Sequence, residues 1–351
     1  MTDLTICIIT YNSVNYLPKL MNSILNSTLK NYKTLFIDNK SADDTIKYIK
    51  NKYLKKQDVK LIKLDKNIGH SAAANIALKK CETRYIIFID HDTILDKEML
   101  NILYNKAKNN SETNFAVFAP MIIDRSRNEI QYGGFMHFIC KMEINKKEIK
   151  NDSEIGIVGT TAPLIDLHKI PKGLLFDNNF FIYLNDLDYF YRIKMMGLKI
   201  MLVPSAKITH LEGTPNFSFR GTGCYPALRA FYLIRNQKLF LLKNYSFKNL
   251  LLVLPILFLY EIFQIIFSIK NNFFVEGYLK ANLSFIFLIL ETTKKRQVIQ
   301  KNRKIGDKFL VGCYKLSYNH GVISNKFEQI VNSLFNNFLC LYYRLIKSFL
   351  N

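Results

Sequence analysis

Between residues 4 and 92, apolar β-branched segments repeatedly end in short polar clusters, and helical patterns fill the gaps between them. Residues 4–9 (Leu-Thr-Ile-Cys-Ile-Ile) stop at Thr10-Tyr11-Asn12, after which Leu17, Leu20, Met21, Ile24 and Leu25 recur at helical spacing. Thr34–Ile37 stops at Asp38-Asn39, and a helix is expected from near Ser41, capped by Ser41 or Asp43. Residues 59–64 stop at Asp65-Lys66-Asn67-Ile68-Gly69, ahead of a helix from Ser71 to Lys80. Tyr85–Ile89 stops at Asp90-His91-Asp92. Parallel neighbours need crossover connections, so this alternation predicts an α/β fold: a Rossmann-like, mostly parallel sheet flanked by helices. Such sheets bind ligands beyond the carboxyl ends of their strands, where every one of these clusters falls.

The last cluster has the most chemistry. Side chains alternate along a strand, so Asp90 and Asp92 point to one side and His91 to the other. Two hard oxygen donors at a sheet edge suit a divalent cation, and Mg²⁺ pairs one or two carboxylates with phosphate oxygens. A plain turn or helix cap is the competing reading. Farther on, Gly156–Asp166 reads as strand and loop, and Phe176–Leu184 as an aromatic lead-in to Asn185-Asp186-Leu187-Asp188. A helix is expected from about Leu187 to Met196, closed by Gly197. A strand, Lys199–Val203, is expected to stop at Pro204, with a further short strand carrying Thr209-His210.

The chain changes character after about residue 225. Leu250–Ile269 is long enough for a membrane span but contains Pro255, Glu261 and Gln264, while Ala281–Leu290 is too short. Residues 291–351 hold eleven Lys/Arg against three Asp/Glu, mixed with Leu, Phe and Tyr. That pattern suits helices lying at an anionic bilayer surface; a true span and a buried soluble hairpin are the alternatives. Domains are therefore expected at 1–225 and 226–351. The 49 Lys+Arg against 28 Asp+Glu give +21, which calls for an anionic partner, although a Lys-, Asn- and Ile-rich composition explains part of it. Six cysteines without paired short spacing indicate neither a zinc site nor a disulfide framework. Met1-Thr2-Asp3-Leu4 leads straight into a strand, from which a cytosolic setting with reduced thiols is expected.

Five ordered blocks together carry a family resemblance over about residues 4–240. They are Thr10-Tyr11-Asn12; Asp38 to Thr45; Asn67 to Asn75; Asp90-His91-Asp92; and Asn185-Asp186-Leu187-Asp188 followed by Arg192, Gly197 and His210. In this order they resemble a family 2 glycosyltransferase of GT-A fold, of the rhamnosyltransferase-like branch. The resemblance implies a nucleotide-sugar donor site. Thr10 and Asn12 would line the nucleotide, Asp38 would contact the base, and the Asn67–Gly69 turn would let backbone approach the nucleotide. It further implies Asp90 near the ribose and metal, Asp92 binding the metal directly and His210 completing its shell, with Mg²⁺ or Mn²⁺ as the ion. Asp186 would be the catalytic base of an inverting transfer, in a pattern whose usual Glu is replaced here by Asn185.

For the residues alone, Asp38, Asp186 and Asp188 read equally as helix-start acids, Asn67 and Gly69 as a turn, and His210 as a surface histidine. Arg229 and Arg235, in a further stretch like the family, suit either a diphosphate or lipid headgroups. Processive synthases resembling this family carry a Trp-containing motif near this stretch, and this chain has no Trp, so the resemblance implies single-sugar addition. The expected protein is a membrane-associated enzyme at the cytoplasmic face. It would add rhamnose or a hexose to a surface glycan, with a polyprenyl-diphosphate-linked acceptor accounting for the basic, apolar last third. A non-catalytic scaffold predicts loss of Asp92 or Asp186, and a nucleic-acid-binding protein predicts no acids clustered at strand ends; neither pattern is present, and nucleic acid is not an expected partner.

Overall fold

The computed structural model describes residues 3–55, 58–125, 129–145, 149–211, 226–316 and 326–351. These form two compact units: one of residues up to 133 with 144–193 and 198–213, the other of 134–143, 194–197 and the remainder from 214. The boundary expected at residue 225 lies outside the described residues.

In the first unit, β1 (Leu4–Thr10), β2 (Lys33–Asp38), β3 (Val59–Lys63) and β4 (Tyr85–Phe88) run parallel in the order β3-β2-β1-β4. Their crossovers are α1 (Leu17–Leu25), α2 (Thr45–Lys52) and α3 (Gly69–Lys80). Alternation along β1 feeds two cores: Leu4, Ile6 and Ile8 pack with α1's Leu17, Leu20, Met21 and Ile24, while Cys7 packs with α3's Ala73, Ala74 and Ala77. Leu25, expected on the same face, is exposed. α2 begins at Thr45, not near Ser41, because Ser41 and Asp43 are committed elsewhere. The Ser41 hydroxyl binds Asp38, and Asp43 accepts from the Val14 and Thr45 amides.

β5 (Thr93–Leu95), α4 (Met99–Asn109) and β6 (Phe115–Asp124) follow β4. The short β10 (Leu164–Asp166) is antiparallel to both β4 and β6 and sits between them. β9 (Ser153–Ile155) and β5 each pair antiparallel with β11 (Lys199–His210), which runs parallel to β6. β11 continues through Pro204, where two strands were expected. The register with β6 shifts between Val203 and Lys207, and this bulge accommodates the missing N–H. α5 (Asn185–Met195) starts two residues before its expected Leu187 and is followed by Gly197 at φ +85°, the conformation a glycine C-cap supplies.

The second unit holds β12 (Val311–Gly312), parallel to the end of β7 (Glu129–His137); β7 also pairs with β8 (Lys141–Asn145). Its helices are α6 (Ala227–Asn244), α7 (Phe247–Lys270), α8 (Lys280–Lys301) and α9 (Lys326–Ile346). Arg296 and Gln300 of α8, with Arg303 just beyond its end, donate to the carbonyls that close α6, from Leu242 to Tyr245. Buried Asp307 gathers Arg303, Asn249 and the Ser246 amide. Arg235 turns inward here, held by Asn236 Oδ1 and lying about 5 Å over the rings of Phe231 and Tyr232.

Candidate active site

The strand ends of the first unit bring the expected residues into three groups. In the first, Thr10 Oγ1 donates to Asp38 Oδ1 at 2.9 Å, and the Ser41 amide and hydroxyl donate to the same carboxylate at 3.0 and 2.6 Å. Asp38 is fully buried, so its negative charge is met by donors of its own loop. Asn12, at φ +50°, accepts from the Ala42 amide, and its own amide donates to Ser41 Oγ. Thr10, Asn12 and Asp38 thus knit the ends of β1 and β2 into one loop structure.

The second group lies at the start of α3. Asn67 Oδ1 accepts from the Gly69 amide, and Gly69 sits at φ +81°. A Cβ on Gly69 would lie 2.6 Å from both the ring and the carbonyl of Phe181, so the close backbone approach it permits is to Phe181. Ser71, Asn75 and the His70 amide hold the same segment: Ser71 donates to Phe180 O, His70 N–H to Phe181 O at 2.7 Å, and Asn75 both gives to and receives from Phe176. That segment leads through Tyr183 and Leu184, both left-handed at φ +62° and +57°, into α5. α3 therefore sets where Asp186 begins its helix. This was not legible in sequence, where Ser71 and Asn75 read only as part of a helix.

The third group is the acidic one. Asp90, His91 and Asp92 form the turn joining β4 to β5, rather than the fraying end of one strand. Because β5 pairs with β11, Thr93 faces His210, and Leu211 N–H binds Asp92 O at 2.9 Å. His210 Nε2 lies 3.2 Å from Asp92 Oδ2, and ligand atoms of Asp90, Asp92 and His210 all fall within 4.8 Å of one another. Burial alone would raise the Asp92 carboxyl, but the hydrogen bond and charge of His210, with the charge of His91, hold it well below the ordinary carboxylate range. Asp90 Oδ2 accepts from Thr161 Oγ1 at 2.7 Å, a partner with no signal in the sequence. Two carboxylates and an imidazole, converging with Asp92 buried and Asp90 and His210 half-buried, fit a divalent cation of the hard or borderline kind. His91 lies outside the cluster, its ring 5.7 Å from that of Tyr16.

Asp186 stands beside this cluster in charge as well as in sequence order. Packed surroundings push its carboxyl up to about 6; amide hydrogen bonds from Leu187, Thr160 and its own residue oppose the rise, and the charge of Asp90 adds to it. Its Oδ1 accepts from Leu187 N–H at 2.8 Å, and Gly159 leaves room for Oδ2, which would lie 3.3 Å from a Cβ there. Asn185 Nδ2 lies 3.0 Å from His70 Nδ1, a contact the usual Glu at this place would make with opposite polarity. Burial is the main reason His70 is held below its ordinary value. Asp188 is fully buried against Arg192, at 2.8 Å, and Arg192 also caps Leu175 O; this pair packs α5 and is not part of the Asp90–Asp92–His210 cluster.

Residues 5–163 match the family described as Glycosyl transferase family 2. Over 177 residues the chain is 28% identical to a teichoic acid poly(glycerol phosphate) polymerase of Staphylococcus epidermidis, covering 48% of this chain and 23% of the relative. Over 116 residues it is 34% identical to the poly(ribitol-phosphate) beta-N-acetylglucosaminyltransferase TarP of Staphylococcus aureus, covering 32% and 35%. The chain thus spans about a quarter to a third of the length of these curated relatives. A solved structure of GalNAc-T7 with UDP, GalNAc and Mn²⁺ superposes with a TM-score of 0.58 at 15% identity, covering 85% of this chain and 54% of that one. The mostly parallel sheet flanked by helices is of the GT-A type. Residues 5–163, which contain β1 to β4 and the Asp90-His91-Asp92 turn, are the part of the chain that is similar to this family.

Proposed function

We propose that this chain is an inverting glycosyltransferase that moves one sugar from a nucleotide-sugar donor to a cell-surface glycan. The observation that carries this reading is the meeting of a raised carboxyl, Asp186, with the Asp90–Asp92–His210 cluster in one unit of the fold. Thr10, Asn12 and Asp38, with Asn67 and Gly69, form the nucleotide end, and Asp90 is shared between ribose and metal. Asp92, His210 and Asp90 would hold Mg²⁺ or Mn²⁺, which would neutralise charge on the departing diphosphate. The acceptor hydroxyl attacks the anomeric carbon, the bond from that carbon to the diphosphate oxygen breaks on the opposite face, and the hydroxyl proton passes to the Asp186 carboxylate. A single base and one displacement invert the anomeric centre.

Rhamnose from dTDP-rhamnose, or galactose or N-acetylglucosamine from a UDP donor, is the sugar in this reading. The relatives' names, a poly(glycerol phosphate) polymerase and a poly(ribitol-phosphate) transferase, support a surface polymer as acceptor. A polyprenyl-diphosphate-linked acceptor accords with the basic, apolar helices from residue 226 onward, which would sit on the anionic cytoplasmic face of the membrane. The test is a donor screen with purified protein, a panel of nucleotide sugars, and parallel reactions in EDTA. Metal-dependent turnover of at least one donor is expected. A panel with neither turnover nor metal-dependent binding sinks the reading.

A further inference from the structure

α7 is built inside out. Its buried stripe, Asn249, Val253, Ile256, Tyr260, Gln264 and Ser268, carries most of its polar side chains, and these bond inside the second unit: Asn249 to Asp307 and Gln264 to Gln237. Half-buried Glu261 bonds Lys238 and Tyr278. Every exposed residue from 251 to 269 is apolar: Leu251, Leu254, Pro255, Phe258, Leu259, Ile262, Ile266 and Ile269. A water-facing helix has the reverse arrangement.

α9 repeats the design. Phe327, Ile330, Val331, Leu334, Phe338, Leu341 and Leu345 are exposed, and at 3.6 residues per turn they fall within about 100° of arc. Asn336, Leu339, Tyr343 and Ile346 pack inward on the opposite side. The two helices run antiparallel along their length, joined at Lys270–Glu328, at the stacked rings of Phe263 and Phe335, and at Tyr342 Oη to Leu252 O at 2.7 Å.

We propose that this α7–α9 pair is a docking face that lies flat in one leaflet of an anionic bilayer without crossing it, a proposal that rests on the membrane association inferred above. Lipid is the occupant because the outer face of α7 offers no hydrogen-bonding side chain from residue 251 to 269, whereas protein interfaces carry about one hydrogen bond per 100–200 Å². Exposed Lys248 at the start of α7, with Lys326 and Lys347 around α9, complements anionic headgroups. Crossing is opposed by α9. Its exposed Gln329, Ser333, Asn337 and Arg344 line one flank of the apolar stripe, and a span would carry them into the acyl core beside α7. Lying flat, the same flank reaches the headgroups.

The chain has no Trp, so L251W, F258W and I266W each introduce a single reporter on the outer face of α7 in the full-length protein. Each is mixed with phosphatidylcholine vesicles, with and without phosphatidylglycerol, whose lipids are brominated at shallow or deep acyl carbons. The expected result is a blue shift and equal, shallow quenching at all three positions, with flotation falling several-fold without phosphatidylglycerol. Deep quenching at F258W with shallow quenching at the other two describes a span; it overturns flat docking and leaves membrane association standing. No flotation overturns both, while the donor screen judges the enzyme separately. Blue-shifted emission that no bromolipid quenches, with a dimer in sedimentation, assigns the face to a second copy and also overturns the proposal. The unaltered chain, photolabelled from a lipid-borne probe, gives the check that no substitution can disturb: label on both outer faces is expected, and its absence overturns the docking face.

Discussion

Its packed surroundings hold the Asp186 carboxyl at about 6, and that single displacement ties rate and stability together. As the base proposed above, Asp186 would work ionised, so kcat/KM should rise with pH through about 6 and level off above. D186N should remove that inflection and cost about 10²–10⁴-fold in transfer while donor binding persists; unchanged transfer would remove Asp186 from the chemistry. The stability sign runs the other way. Between 3.8 and about 6 the native carboxyl keeps a proton that the unfolded chain has released, so stability falls as pH rises across that window and stays lower above it. D186N carries no such penalty and should be more stable than the parent at pH 8 by on the order of 2 kcal/mol, read from denaturant midpoints. At the cluster, D92N leaves His210 without its anionic partner. Metal-dependent donor binding should weaken there at least tenfold, measured by calorimetry with Mn²⁺, whereas H91A, which removes a neighbouring charge and no ligand, should weaken it far less.

Among the elements, what was legible followed from local pattern, and what was missed depended on distant partners. The four parallel strands were readable because each is an apolar run closed by polar residues. Asp90 and Asp92 were readable as paired acids at a strand end and Asp186 as an acid opening a helix, positions that turns and caps use as well. β10 falls in the stretch read as strand and loop, 156–166, but its antiparallel insertion between β4 and β6 was hidden, because three residues carry no periodicity of their own. The bulge of β11 at Pro204 looked like a stop, since a proline normally ends a strand that cannot bend around it. Asp188 read as a helix-start acid, and the sequence did not show that Arg192, one turn later, holds it as a buried ion pair. R192A should therefore cost about 3–5 kcal/mol by stranding a buried charge, seen as a large drop in melting temperature. G69A probes α3's grip on the segment leading to Asp186. With a positive φ and Phe181 already in the space, it should both destabilise and lower transfer, whereas G173A, where a Cβ meets nothing within 4 Å, should spare transfer.

Two physical programmes coexist in one chain, and each occupies its own compact unit. The first unit contains every member of the candidate site, from Thr10 to His210, and buries its apolar residues in the ordinary way. The second keeps a polar network inside, around Asp307 and Gln237, and turns Phe258, Phe287, Leu290 and Leu334 outward. A surface of that kind in water invites self-association; against lipid it needs no other partner. If membrane docking and chemistry are separable, L254E/F258E should abolish flotation with phosphatidylglycerol vesicles yet fold normally, since exposed substitutions shift stability by only about 0.5 kcal/mol. Transfer to a water-soluble acceptor should continue at the parent rate, while transfer to a lipid-linked acceptor in vesicles should fall at least tenfold because enzyme and acceptor no longer share a surface. Raising salt tests the other half of the attraction: with +21 net charge, parent flotation should weaken as the headgroup field is screened, yet not vanish while the apolar faces remain. Equal loss of both transfer reactions in L254E/F258E would mean that the docking face also supports the active unit, and separability would fail.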